Sequence, residues 1–281
     1  MDGQRAGLDE VRGFYAKLMA GASRSHDPRL ERVFELVPRE AFLPPGPWKI
    51  MVGDSYIDTP SSDPVYLYQN TLVALDAEKG INNGEPFLHA AWIGAVAPRS
   101  GEVVTHIGAG TGYYSAILSM LVLPGGRVHA FEIEERLAAA ARDNLLPFEN
   151  TSITAGDAVS LPVGPSDVIY VNAGVAAPPV AWLQALRPGG RVIFPWRPSK
   201  AVGIAVLLTA RASGFDVKPL MPAWFIPCVG ALATASESTP VGANAAWRSR
   251  SLHLTTQCTP DETATAVYPD VWLSSQELAP S

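Results

Sequence analysis

From Val103 to Ala210 the chain alternates short β-branched runs with helix-forming runs, and this alternation limits the fold more than any other feature of the sequence. VVTHI (Val103–Ile107), RVHAFEI (Arg127–Ile133), TSITAGD (Thr151–Asp157), DVIYVNAG (Asp167–Gly174), GRVIFPW (Gly190–Trp196) and AVGIAVLLTA (Ala201–Ala210) read as strands. Between them, Tyr113–Leu123, EERLAAAARDNL (Glu134–Leu145) and Val180–Leu186 read as helices, the second through the high propensity of its alanines and leucines. Strands separated by helices are joined by crossovers. The pattern therefore predicts an α/β fold: a doubly wound, mostly parallel sheet with helices on both faces.

The flanks differ in texture. Over residues 1–100 no repeat is found and proline punctuates the chain. LDEVRGFYAKLM (Leu8–Met19) spaces Leu8, Val11, Tyr15, Leu18 and Met19 as an amphipathic helix. Pro28–Leu36 reads as a second helix ending near Pro38, and PREAFLPPGPWK then forms an irregular segment that Phe42 and Trp48 should hold in order. After Ala231 the composition shifts to Ala, Ser and Thr (TASESTPVGANA), as in a linker or long surface loop. RSLHLTT then alternates like a half-buried strand, and residues 245–275 keep enough Trp, Leu and Val to be ordered. The expected organisation is an N-terminal helical and loop arm over 1–100, acting as a lid, a core over 101–231, and an appendix over 232–281 packed on that core.

Charge and cysteine usage remove several classes. With 27 acids against 21 bases the net charge is −6, so no nucleic-acid partner is expected. Cys228 and Cys258 lack metal-ligand or CxxC spacing, which predicts neither a disulfide framework nor a metal site. The N-terminus carries Asp2, Arg5, Asp9, Glu10 and Arg12 without an apolar run, and Ala201–Ala210 falls short of the ~20 residues that span a bilayer. No membrane partner and a cytoplasmic location are expected.

The loop HIGAGTGY (His106–Tyr113) follows the first of these strands and opens a helix. Glycines there let the backbone approach a ligand, and the helix N-terminus offers free N–H donors. A dinucleotide fingerprint would need glycine at 113, where Tyr113 stands, which speaks against a nicotinamide oxidoreductase. The spacing GxGxG is that of enzymes using S-adenosylmethionine (SAM), and it makes Gly108, Ala109, Gly110, Gly112 and Tyr113 expected cofactor contacts. Glu132, 20 residues after Gly112, closes the second strand where a carboxylate can accept both ribose hydroxyls, with Ile133 beside it. Asp157 and Ala158 end the third strand near the expected adenine edge, and Asn172 ends the fourth, where a cofactor or substrate contact and a strand-end cap are both open. His106 stands where most SAM enzymes carry an acid. If it faces the cofactor, affinity falls as pH drops through its pKa; otherwise the ring turns aside into a neighbouring polar contact.

From about Leu30 to Ala231 the sequence resembles the protein-L-isoaspartate O-methyltransferases. The resemblance is carried by VFELVPREAFLPP (Val33–Pro45), YIDTP (Tyr56–Pro60), PFLHA (Pro86–Ala90), HIGAGTGYYSA (His106–Ala116), DVIYVNAGVAAPPVAWLQALRPGGRVIFP (Asp167–Pro195) and VKPLMPAWFIPCVGA (Val217–Ala231). It implies a Rossmann-like SAM-methyltransferase fold and a methyl transfer to the α-carboxylate of an L-isoaspartyl residue in a damaged protein, by a cytosolic, usually monomeric repair enzyme without a metal. A carboxylate is ionised at pH 7, so alignment and exclusion of water can drive such a transfer without a general base. The family signature approximated by ISAPHMHA corresponds here to GINNGEPFLHA (Gly80–Ala90), and its serine falls on Gly84. Asn82 or Asn83 could supply amide donors in its place, though NNGEP is also an ordinary turn. His89 is retained, and would be the best placed base if the acceptor were a hydroxyl. Catalytic expectations therefore rest on Asn83 and His89. The acceptor is a protein or peptide, or alternatively a different small molecule or peptide taken by the same fold; a non-catalytic SAM-binding regulatory module is the remaining alternative. Sequence does not fix the oligomeric state.

Overall fold

A computed structural model describes residues 7–199, 202–231 and 241–279. The expected linker after Ala231 lies largely on 232–240, outside the described residues, as does the first residue of the strand predicted from Ala201. Two compact units alternate along the chain: Met1–Gly101 with Ala109–Val128 and Glu134–Ile153, and Glu102–Gly108 with His129–Ile133 and Thr154–Ser281.

The first unit holds α1 (Leu8–Ser23), α2 (Arg29–Leu36), α3 (Pro86–Val96), α4 (Tyr113–Leu121) and α5 (Glu135–Asn144), with two short hairpins, β1 (Lys49–Val52) with β2 (Ser55–Asp58) and β3 (Ala74–Asp76) with β4 (Ile81–Asn82). α1 runs four residues past the predicted Met19 and buries Tyr15, Ala16, Met19 and Ser23. Leu18, expected inside, is exposed, and Ala16 takes the buried place. α3 approaches α1 so closely that a Cβ at Gly94 would stand 2.2 Å from the Ser23 carbonyl oxygen, a spacing that only glycine allows. The proline-rich segment is ordered: a 3₁₀ turn spans Arg39–Phe42, Trp48 Nε1 donates to the Pro44 carbonyl (2.7 Å), and Phe42 and Trp48 are buried.

The second unit is built on a ten-stranded sheet. Its strands are β5 (Val103–Ile107), β6 (Arg127–Glu132), β7 (Thr151–Ala155), β8 (Ser166–Val171), β9 (Leu186–Ser199), β10 (Val202–Arg211), β11 (Gly214–Pro222), β12 (Ser251–Leu254), β13 (Ala264–Val267) and β14 (Val271–Ser274). Their order is β13-β14-β12-β11-β10-β9-β8-β5-β6-β7, and α6 (Val180–Ala185) and α7 (Ala243–Arg248) complete the unit. β5 and β9 flank β8 in parallel, as the alternating pattern requires. From β9 outward every pairing is antiparallel, so the sheet is mixed. Only two residues separate the end of β9 at Ser199 from the start of β10 at Val202, too few for a crossover, which is why the parallel pattern stops at β9. Ile169, Val171, Val192, Phe194, Val206 and Leu208 fill the core with Trp182 and Trp196. RSLHLTT supplies β12, whose Leu252 faces Phe215 on one side and Leu273 on the other. Among the described residues no helix is long and apolar enough to cross a membrane.

Candidate active site

Within the second unit four strand ends meet, those of β5, β6, β7 and β8. Gly108, just past β5, donates its N–H to the Phe131 carbonyl (2.9 Å), and Asn172, just past β8, donates to the Ile107 carbonyl (2.8 Å). Gly156, after β7, donates to the Glu132 carbonyl (2.9 Å). Glu132 is buried, Ile133 beside it is exposed, and Gly108 has φ +76°, with Asn172 at van der Waals distance from where a Cβ would stand. This is the carboxyl-end edge of parallel strands, where open α/β sheets bind ligands.

His106 is fully buried on β5, its ring edge-on to Tyr170 and its Nε2 2.8 Å from Asn172 Nδ2. With the amide donating, Nε2 accepts and the ring proton sits on Nδ1. The ring thus takes a neighbouring polar contact, with Asn172. Burial disfavours the imidazolium and lowers the pKa from 6.5 to about 3. Affinity for a cofactor between pH 5.5 and 8 therefore gains no pH dependence from this ring; stability does. The unfolded chain protonates at 6.5 and the folded ring does not, so the unfolded state binds more protons between pH 6.5 and 3 and stability is lost as pH falls through that window. Urea unfolding should show a decline of up to about 1.4 kcal/mol per pH unit below pH 6 that is missing in His106→Asn. Equal declines in both proteins would refute this assignment.

Asn172 Oδ1 is buried without a hydrogen-bond partner among the described residues. Such an acceptor is costly to leave unmade, and it suits a ligand hydroxyl or ammonium. Asp157 Oδ1 accepts from Val159 N–H (2.9 Å) and its main-chain carbonyl from Ser160 and Leu161, so it shapes the turn after β7. Its Oδ2 lies where a Cβ on Gly230 would come within 2.4 Å. Ala158 is buried and its carbonyl accepts from Trp182 Nε1 (2.9 Å). The segment around Gly230, for which the sequence carries no signal of a role, reaches this edge through main-chain hydrogen bonds, Cys228 N–H to the Gly174 carbonyl at 2.8 Å and Gly174 N–H to the Ile226 carbonyl at 2.7 Å.

In the first unit the remaining glycine loop stays left-handed, with φ +56° at Gly110 and +97° at Gly112, the N-cap of α4. Ala109 is buried and its carbonyl accepts from Gly112 N–H (3.0 Å). Thr111 is pinned on both sides: its hydroxyl donates to the Phe42 carbonyl (2.5 Å) and its carbonyl accepts from Asn144 (3.0 Å). Leu75 stands 3.3 Å from the place of a Cβ on Gly110, a neighbour the sequence did not reveal. Tyr113 turns its ring inward, edge-on to Phe42 at 5.6 Å, so only its main chain belongs to the loop. Burial raises the Tyr113 and Tyr114 hydroxyls well above their ordinary pKa and keeps them protonated.

His89 on α3 is buried and stacked on Tyr114 (3.8 Å, 19°). Gly84 has φ +77°, and a Cβ there would lie 2.2 Å from His89 Nε2 and 3.2 Å from Tyr114. The imidazole thus fills the space into which a side chain at 84 would point. Asn82 Oδ1 accepts from Gly84 N–H (3.0 Å); Asn83 Oδ1 accepts from Val73 N–H (2.9 Å), and Asn83 N–H donates to the Val73 carbonyl (2.9 Å). The turn reading of NNGEP is thereby realised, while Asn83 Nδ2 keeps no partner among the described residues.

Within the second unit, Gly108, the Asn172 Oδ1 acceptor and the buried Glu132 carboxylate suit a nucleoside-bearing, cationic ligand such as SAM. Comparison with known proteins agrees. Residues 21–233 match the family profile described as protein-L-isoaspartate(D-aspartate) O-methyltransferase. The chain is 29% identical over 197 residues to the protein-L-isoaspartate O-methyltransferase of Ignicoccus hospitalis, covering 69% of this chain and 85% of that protein. To the Methylorubrum extorquens protein of the same name it is 31% identical over 202 residues, covering 71% and 79%. A solved protein-L-isoaspartate O-methyltransferase superposes with TM-score 0.65 at 27% identity, covering 77% of this chain and 65% of that one. A Plasmodium falciparum structure of that description, in complex with S-adenosyl-L-homocysteine, gives TM-score 0.61 at 16% identity over 77% of this chain and 97% of that one, a likeness of fold alone.

Proposed function

The chain belongs to the protein-L-isoaspartate O-methyltransferase family, and from that membership we propose that it methylates the free carboxylate of L-isoaspartyl residues in proteins or peptides, with SAM as methyl donor. The family match over residues 21–233 carries this reading. When bound, SAM supplies a methyl group activated on a sulfonium. Gly108, Ala109, Gly110 and Gly112 hold its methionine end through main-chain groups, and Glu132 accepts from the ribose hydroxyls with Ile133 covering the base. Asp157 and Ala158 present the turn after β7 to the adenine. Asn172 Oδ1 takes a ligand donor, and His106 acts through Asn172 by fixing its amide.

On the acceptor side, Asn83 Nδ2 and the His89 edge beneath Gly84 take over the orienting task that a serine performs in the family signature. The acceptor carboxylate arrives ionised, so these groups need only align it and exclude water, effects worth about 7–11 kcal/mol in well-oriented systems. Transfer of labelled methyl from SAM to an isoaspartyl peptide, with its aspartyl twin as control, tests the reading: the first should be methylated and the second should not. Equal or absent transfer to both, with S-adenosylhomocysteine still bound, would overturn it in favour of another acceptor.

A further inference from the structure

Cofactor binding leaves the arginine of VPREAF, Arg39, without a role. Arg39 is buried, and among the described residues no carboxylate pairs with it. Its guanidinium lies 5.8 Å from the Tyr15 ring centroid and donates instead to main-chain carbonyls: Nη1 to Leu67 and to Gln69 (3.2 Å), Nη2 to Thr71 (3.2 Å). One rigid fork thus fixes alternate carbonyls of a segment with no regular pairing of its own over Gln69–Thr71.

That segment holds both ends of the turn that replaces the family's serine. Asn70 Nδ2 donates to Glu85 Oε1 (2.6 Å), and Asn70 Oδ1 accepts from Phe87 N–H (2.8 Å) at the start of α3. Two residues past Thr71, Val73 exchanges hydrogen bonds with Asn83. We propose that Arg39 is a positioning residue: it clamps residues 67–73 into a strut that sets the Asn82–Phe87 turn, and with it the acceptor-side groups Asn83 and His89. The inference rests on the reading of those two residues as acceptor-side groups. A buried fork on carbonyls rather than an ion pair suits this task, because it constrains the main chain from which Asn70 and Val73 project.

The test uses the full chain as parent, Arg39→Lys, Asn70→Ala and the double variant, with two readouts: amide exchange at Val73, Asn83 and Phe87, and KM for an isoaspartyl peptide beside Kd for SAM. Lysine keeps the charge but not the fork. Arg39→Lys should speed exchange at all three amides at least tenfold and raise peptide KM about tenfold, with SAM Kd within about twofold. Asn70 is exposed, so Asn70→Ala should keep the parent's melting temperature while releasing Phe87 alone and raising peptide KM severalfold. The double variant should be no worse than Arg39→Lys. Unchanged exchange at the three amides, or SAM affinity lost in the same proportion as peptide affinity, overturns the proposal. Should Arg39→Lys fail to fold, Asn70→Ala decides: no effect on Phe87 exchange or peptide KM overturns the strut. Failure of the methyltransferase reading shows separately, as absent turnover in the parent, while exchange still reports on the strut.

Discussion

Gly84→Ser will lower the melting temperature and methyl transfer together, although it installs the residue that the family signature carries there. A non-glycine residue at φ +77° costs about 1–2 kcal/mol, and the new Cβ must displace a His89 ring lying 2.2 Å away and stacked on Tyr114, an overpacking cost of about 1–3 kcal/mol. The sum, about 3 kcal/mol, corresponds to roughly 6–12 °C for a domain of this size. His89→Ala added to Gly84→Ser should recover about half of that loss, because it removes the clash and leaves the backbone strain. Thermal unfolding of the parent, both single variants and the double variant forms a cycle that isolates the contact. A single Gly84→Ser protein as stable as its parent would show that position 84 has room.

Glu132→Ala should raise the Kd for SAM by about 10- to 100-fold, since hydrogen bonds to a charged acceptor are worth about 1.5–3 kcal/mol. The carboxylate ends β6 in a buried position, so water replaces it poorly. Titration calorimetry with SAM and S-adenosylhomocysteine should show the same loss for both, because the ribose is common to them. An affinity within twofold of the parent would remove Glu132 from the cofactor site.

How much of this was legible in the sequence depended on the range of the interaction. β5, α4, β6, α5 and β8 were legible because β-branched runs and alanine-rich runs carry their preference locally, and all lie within a few residues of the predicted bounds. The antiparallel half of the sheet was not, because AVGIAVLLTA is apolar on both faces and periodicity is silent on strand direction. The orientation of His106 was open because it is settled by Asn172, 66 residues away. Arg39 gave no signal of its task, since its partners are carbonyls, and every residue type carries a carbonyl. Gly84 could be matched to the signature serine, yet the reason it must be glycine lies in the His89 ring five residues on.

β14 lies between β12 and β13 although it follows both in sequence, and β13 pairs with β14 rather than with β12. During synthesis β13 therefore emerges with no strand to join, and the β12 edge carrying Leu252 and Leu254 waits open until Val271–Ser274 has left the ribosome. A nascent chain paused at Tyr268 holds a sheet with an unpaired apolar edge, the kind that pairs with neighbouring chains. Insertion of β14 closes the β12 edge and gives β13 its partner in a single step.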